Sequence, residues 1–437
     1  MPSFVSARYH LFLAFLALSG ASKIVAQDTV RAAPAAPVRT VSERERQSTL
    51  GLSLFNPFSE TPETPFQAGP FVFRPRFSFR YMNAEDMPSG SRRIATEIQT
   101  FSPGLAVDLG RDWTFDYAPS WTYYSARAFE DTADQAASLR GAIMGQTWTL
   151  ELGENFSIGS PTLVETAQQT RTRSWATSVS ASRGLGSKIG LQLNADMSEQ
   201  KTDIAQDTRN WTTQNWLTFQ VLPSVNLGFG PGAGYEEISD APDMTYERAM
   251  GRISWKMTDK LSLSGSGGME FRHSNASDGK TIRYPTANVA LSYQPFETTQ
   301  LSFSYARTLN SSAFRSQVVK GGSWNLDVSQ RLLRHLYLSA GWSHQDSTYE
   351  AATLSYSPPP AAPLPEGEDA PAPDDRPILI SLPGRSDKVD SLSTQLTFQV
   401  LKRVSISATY QRTKNKSSEA GFSFNSTQYG FTVGFSF

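Results

Sequence analysis

The sequence predicts an all-β fold, a transmembrane antiparallel up-and-down β-barrel with periplasmic termini. Three observations predict it. The final run Tyr429, Phe431, Val433, Phe435, Phe437 is apolar at every second position, with Gly430, Thr432, Gly434 and Ser436 between. Successive strand residues point to opposite faces, so this segment has one greasy face and one wet face. Short turns alternate with long polar loops along the chain, the asymmetry of barrels whose turns are periplasmic and whose loops lie outside. Finally, an export signal stands at the start, and no apolar stretch of about 18 residues follows that could cross as a helix.

Residues 1–26 read as a secretory signal. Arg8 and His10 precede the run Leu11 to Leu18, and Ser19, Gly20 and Ala21 follow it; cleavage is expected after Ala21 or after Ala26. Cysteine is absent from all 437 residues, which excludes disulfides, thiolate metal sites and a lipoprotein anchor. Residues 27–70 hold the Ala-Pro stretch Ala32 to Pro37, the charged patch Glu43 to Arg46, and Pro57, Pro62, Pro65 and Pro70. That composition predicts an extended, poorly ordered periplasmic segment.

The barrel is expected over residues 71–437. Phe71, Phe73, Phe77, Phe79 and Tyr81 alternate with Val72, Arg74, Arg76, Ser78 and Arg80, and similar alternation recurs through Ile189 to Met197, Leu301 to Tyr305 and Val404 to Tyr410. Turns are predicted at Gly110-Asp112, Gly153-Glu154, Gly184-Ser187, Pro223, Thr258-Lys260, Pro295-Glu297, Leu332-Arg334 and Leu401-Lys402. Loops are predicted over 84–93, 126–135, 199–210, 239–244, 274–279 and 417–424. The count is about 18 strands, with 16 possible, each longer than the roughly 9 to 11 residues needed to cross. Residues 357–385 interrupt the rhythm with many prolines, which cannot donate to a ladder, and fall on the loop side as a long acidic flap. Trp113, Trp121, Trp148, Trp175, Trp211, Trp255, Trp324 and Trp342 lie mostly near predicted strand ends, where amphipathic rings favour the headgroup level.

Hydrophobic content is 39%, mean hydropathy −0.37 and net charge −1. A barrel needs only one apolar stripe per strand, so it looks hydrophilic overall. The near-zero charge points away from nucleic acid. His273, His335 and His344 share no metal-like spacing, and no serine is marked by a local base, so neither a metal, a cofactor nor an enzyme is predicted. Gly228, Gly230, Gly232 and Gly234 alternate along a strand, which suggests bending or lumen space.

Parity turns charge into position. With Phe73, Phe77 and Phe79 facing lipid, Arg74, Arg76 and Arg80 face the lumen. With Ile253, Trp255 and Met257 outside, Arg248, Arg252 and Lys256 face it too. A basic residue on the lipid side at mid-depth costs roughly 2–4 kcal/mol, so the assignment is energetically enforced. These cations bias ion passage, or they are neutralised by acids on similar faces, Asp108, Asp116, Glu151, Asp196 and Asp327. The loop acids Glu366, Glu368, Asp369, Asp374 and Asp375 either fold inward against the basic wall or hang outside in solvent.

Two stretches carry a family resemblance: Phe101-Ser102-Pro103-Gly104-Leu105 with Trp113 to Ser125, and Ser407-Ala408-Thr409-Tyr410-Gln411-Arg412 with the terminal aromatic. Together they resemble the outer-membrane β-barrel porins associated with exopolysaccharide loci. Tyr81-Met82-Asn83-Ala84-Glu85-Asp86 departs from that family's Asp-Asp-Asn signature after the first strand. The resemblance implies a bacterial outer-membrane location among its lipids, a pore, and recognition of Phe437 by the barrel-assembly machinery; it carries no catalytic residue. Two functions follow as expectations. One is a passive or weakly selective channel for small hydrophilic solutes, and the other is a barrel assisting exopolysaccharide export or surface attachment.

Overall fold

A computed structural model describes residues 66–437 except 164–167, 204–205, 240–241, 275–280, 313–316 and 357–377, with backbone alone for 352–356 and 378–382. The predicted signal, most of the 27–70 segment and the acidic loop residues Glu366, Glu368, Asp369, Asp374 and Asp375 lie outside the described residues.

Eighteen strands close into one antiparallel cylinder. In chain order they are β1 (Phe71–Ser89), β2 (Arg92–Leu109), β3 (Trp113–Tyr124), β4 (Thr132–Met144), β5 (Trp148–Gly159) and β6 (Thr172–Gly184). Next come β7 (Ile189–Thr202), β8 (Thr208–Gln214 continued by Trp216–Leu222), β9 (Val225–Ile238), β10 (Met244–Lys256), β11 (Leu261–Ser274) and β12 (Thr281–Phe296). The last six are β13 (Thr299–Ser311), β14 (Val318–Leu333), β15 (Leu336–Tyr349), β16 (Arg385–Leu401), β17 (Val404–Ser417) and β18 (Phe424–Ser436). Each pairs with its chain neighbour, and β1 pairs with β18 from Arg76 opposite Ser436 to Glu85 opposite Thr427. The break in β8 has a local cause. Asn215 stands opposite Pro231, which has no N–H to return, although Asn215 still donates to the Pro231 carbonyl at 3.0 Å.

Below the closing ladder, the short strand Phe66–Ala68 turns at Gly69 (φ 61°) and lies against Phe71–Phe73. It brings the Phe66 ring onto that of Phe437, centroids 4.4 Å apart, while Arg403 covers Phe437 at 3.7 Å.

The outward face is the predicted one. Phe77, Phe115, Leu150, Val179, Leu193, Phe219, Phe229, Leu326, Leu396, Ile406 and Phe431 are all solvent-exposed, an apolar band that water would not tolerate in a monomer. Eight tryptophans stand on this side: Trp121, Trp175, Trp211, Trp255, Trp324 and Trp342 are exposed, Trp148 is in step with exposed Leu150, and Trp113 lies over Gly141, where a Cβ would meet its ring.

Some boundaries differ from expectation. Gly153-Glu154 is no turn; it lies inside β5, and the chain reverses at residues 145–147, where Gly145 N–H donates to Trp148 O at 2.8 Å. Gly153 is there for space, since a Cβ would stand 2.5 Å from Ser178 Oγ. The loop expected over 84–93 is strand almost throughout, reversing only at Gly90 (φ 60°). Its polar appearance comes from a bulge between Ala84 and Met87, with Asp86 at φ 54°.

The outward band yields a stability test. Leu396→Lys places an ammonium in hydrocarbon and is expected to cost roughly 2–4 kcal/mol, whereas Gln395→Lys, one residue away on the lumenal face, costs little. Reversible urea unfolding in lipid vesicles measures both; equal costs would mean the two faces are not differently solvated.

Candidate functional site

The lumen gathers most of the buried side chains, and it does so unevenly. Near the loop end, Phe129 folds inward from the β3–β4 loop onto Met82, Ala84, Met87 and Ile98. A second apolar group there joins Ile238, Met244, Tyr284, Leu309 and Val318 from five different strands. The β12–β13 ladder ends at Ala287 opposite Arg307. Above it, β13 leans across the lumen, so that Ser311 Oγ donates to Glu236 on β9 at 2.9 Å. The wall itself therefore narrows the outer mouth.

Beneath that lean lies an ionic knot. Glu270 is fully enclosed; it accepts Arg248 Nε at 2.8 Å and Arg272 Nη2 at 2.9 Å. Arg272 also reaches Glu236 and Ser311 Oγ, each at 3.0 Å, and the Leu309 carbonyl. Both guanidinium groups lie against the Tyr246 ring, at 4.7 and 5.1 Å. The Tyr246 hydroxyl donates to Asn210 Oδ1 at 2.8 Å. Two arginines and two glutamates thus cancel, tying β9, β10, β11 and β13 into one unit.

Closer to the turn end, Arg252 lies over the indole of Trp216 at 4.6 Å and donates to Gln192 Oε1 at 3.0 Å. No carboxylate pairs with it among the described residues. The alternating glycines of β9 make room for these groups. A Cβ on Gly228 would meet Arg252, on Gly230 Trp216, on Gly232 Gln214 and on Gly234 Tyr246. The glycines leave lumen space, and side chains of the neighbouring strands fill it.

On the opposite arc, Arg76 crosses β2 over Gly104, where a Cβ would lie 2.7 Å from its Nε. It grips both oxygens of Asp116 on β3, at 2.5 and 2.6 Å. Arg74 pairs with Asp108, and Arg80 has no ion pair or hydrogen bond among the described residues. Lys256 stands at the turn-side rim, paired with Asp259 at 2.7 Å, and this contact holds the Asp259 carboxyl below its ordinary value. So the paired arginines are largely neutralised, and Arg80 and Arg252 remain as free positive charge.

The sequence pattern does not single out Trp216, Tyr246, Glu270 or Arg272. Glu270 and Arg272 share one strand face at a spacing of two, which is the available signal. The histidines serve local contacts: His273 meets Thr281 Oγ1 at 2.9 Å, and His344 bridges Asp390 at 2.7 Å and Asp346 at 3.0 Å on the outward face.

Full closure together with an outward apolar band is the architecture of proteins of the bacterial outer membrane. No protein-family model and no curated protein matches the chain. Solved structures resemble it loosely. The siderophore receptor PirA of Pseudomonas aeruginosa is 11% identical (TM-score 0.41), over 86% of this chain and 81% of that one. OccAB3 of Acinetobacter baumannii is 11% identical (TM-score 0.42), over 84% and 99%. For the FrpB iron transporter of Neisseria meningitidis (F3-3 variant) the values are 11% and 0.42, over 79% of this chain and 62% of that one. At this level they carry no argument, and the reading rests on the barrel itself.

Removing the shared acid tests the knot. Glu270→Gln leaves two enclosed guanidinium groups short of a partner and is expected to cost roughly 3–5 kcal/mol, read as a lowered unfolding midpoint in detergent. An unchanged midpoint would mean the knot contributes no net stability.

Proposed function

We propose that the chain is a weakly selective outer-membrane channel for small hydrophilic solutes, narrowed at its loop end and open toward the periplasm. The observation that carries this reading is the inward face: polar and charged along its length, with enclosed apolar groups concentrated at the outer mouth. An 18-stranded cylinder has more bore than its own side chains fill, whereas an eight-stranded one does not. Arg80 and Arg252, lacking carboxylate partners, favour anions modestly. Phe437, held by Phe66 and Arg403, is in our reading the residue that the barrel-assembly machinery recognises.

Planar-bilayer recording tests the proposal. Stepwise openings with a slight anion preference are expected, and Arg80→Ser with Arg252→Ser shifts the reversal potential toward cation preference. Phe129→Ala with Leu309→Ala is expected to raise single-channel conductance, because both side chains occupy the outer mouth. Insertion without any steps would set the channel aside and favour the alternative expectation, a barrel assisting exopolysaccharide export or surface attachment. Steps that respond to neither pair of substitutions would place the constriction elsewhere.

A further inference from the structure

A patch near the loop end of β16 and β17 carries charge on the outward face. On β17 the outward residues run Val404, Ile406, Ala408, Tyr410 and then Arg412, Lys414 and Lys416. The same face of β16 passes from Phe398, Leu396 and Leu392 to Asp390 and Lys388. Tyr410 pairs with Tyr429 of β18, so an aromatic tier marks where hydrocarbon gives way to headgroups. Lys388, Arg412, Lys414 and Lys416 all lie above that tier, on the loop side, and by strand parity they face outward and not into the lumen.

The local charges do not cancel. Asp390 and Asp346 are engaged by His344, and Lys388 reaches Asp346 only at 3.9 Å. Arg412 donates to Asn425 Oδ1 at 3.1 Å. Lys414 and Lys416 make no ion pair or hydrogen bond among the described residues. They border a cavity of about 420 Å³ that Arg93, Ser423 and Asn425 also line, with Asp86 as its acid.

The wall of that cavity is built, not draped. Arg93 donates to the Gly421 and Ser423 carbonyls at 3.0 and 2.6 Å. Enclosed Asn415 donates to the Phe422 carbonyl at 2.8 Å, and Ser417 N–H donates to Ser423 Oγ at 3.0 Å. Arg385 packs on the Phe422 ring at 4.0 Å. These contacts hold the β17–β18 loop before any ligand arrives, so binding costs little ordering.

A sideways-facing, preformed basic cavity at headgroup height in the outer leaflet fits one chemistry. We propose that Lys388, Lys414, Lys416 and the adjoining cavity bind the phosphate of an anionic glycolipid headgroup, with the acyl chains lying down the Tyr410–Tyr429 face. Ammonium groups are donor-only point charges suited to phosphate. The channel proposal is independent of this site, because the three lysines face away from the bore; of the cavity's lining only Asn415 and its cross-strand partner Phe424 have inward parity.

The test uses the full chain in neutral detergent micelles, titrated with bisphosphorylated lipid A and followed by native mass spectrometry. Wild type is expected to retain the lipid, and the triple variant Lys388→Gln, Lys414→Gln, Lys416→Gln to bind it roughly 100-fold more weakly. The triple Lys→Arg variant is expected to keep binding, and both variants to keep the wild-type heat-modifiable gel shift, which shows they are folded whether or not the barrel conducts. Lipid A stripped of its phosphates is expected to bind as weakly as the Gln variant. Equal retention by wild type and the Gln variant would overturn the proposal. So would displacement by millimolar inorganic phosphate, which would make this a site for free anions.

Discussion

The ladder between β1 and β18 is the contact on which the rest of the molecule depends. In hydrocarbon an unpaired backbone N–H or carbonyl has no water to turn to, at a cost of several kcal/mol each. Seventeen neighbour pairings would still leave two bare edges; the eighteenth removes both. It also places Phe77 beside Phe435 and Tyr81 beside Phe431, so the seam is as greasy outside as any other part of the band. Phe437 N–H extends it by one bond, to the Pro75 carbonyl at 3.0 Å. Closure then forces the alternation: with one side of every strand committed to lipid, a charge on that side is costly unless it is partnered, and most charges go to the other side or beyond the membrane.

That sorting explains the interior. Inward charges cannot be spread at will, because each is held at a strand position of fixed parity. Pairing has to be achieved by reach. Arg76 reaches two strands, over Gly104, to Asp116. Arg272 reaches β9 and β13 at once. Glycines stand where a longer side chain passes, and the small residues of β9 serve that traffic. The outward carboxylate Glu154 is handled differently, accepting the Thr177 hydroxyl at 2.9 Å on the next strand.

Much of this is legible in the amino-acid order alone. Phe73, Phe77 and Phe79 set the parity of β1, and the turns near Gly110, Pro223, Thr258 and Lys402 are where proline, glycine and charge put them. Gly153 misleads because a glycine that yields space looks the same in sequence as a glycine that turns the chain. The stretch 84–93 misleads because a bulge adds polar residues without ending the strand. The outer mouth is illegible for a different reason. Met82 and Ile98 are apolar on the face reserved for water, and Leu309, in step with the outward Phe303 and Tyr305, is buried all the same; only the inward lean of β13 and the fold of Phe129 supply them with partners. Long-range packing of that kind leaves no period to read.

The lean of β13 also has an electrical consequence. A bore that is wide at one end and pinched at the other, with Arg252 fixed between, is not symmetric under reversal of the applied voltage. In the channel proposed above, counter-ions are expected to accumulate under one polarity and to be swept out under the other. For the proposed channel this asymmetry predicts ionic rectification, more current in one direction than in the reverse, with a polarity that reports which way the cylinder sits in the membrane.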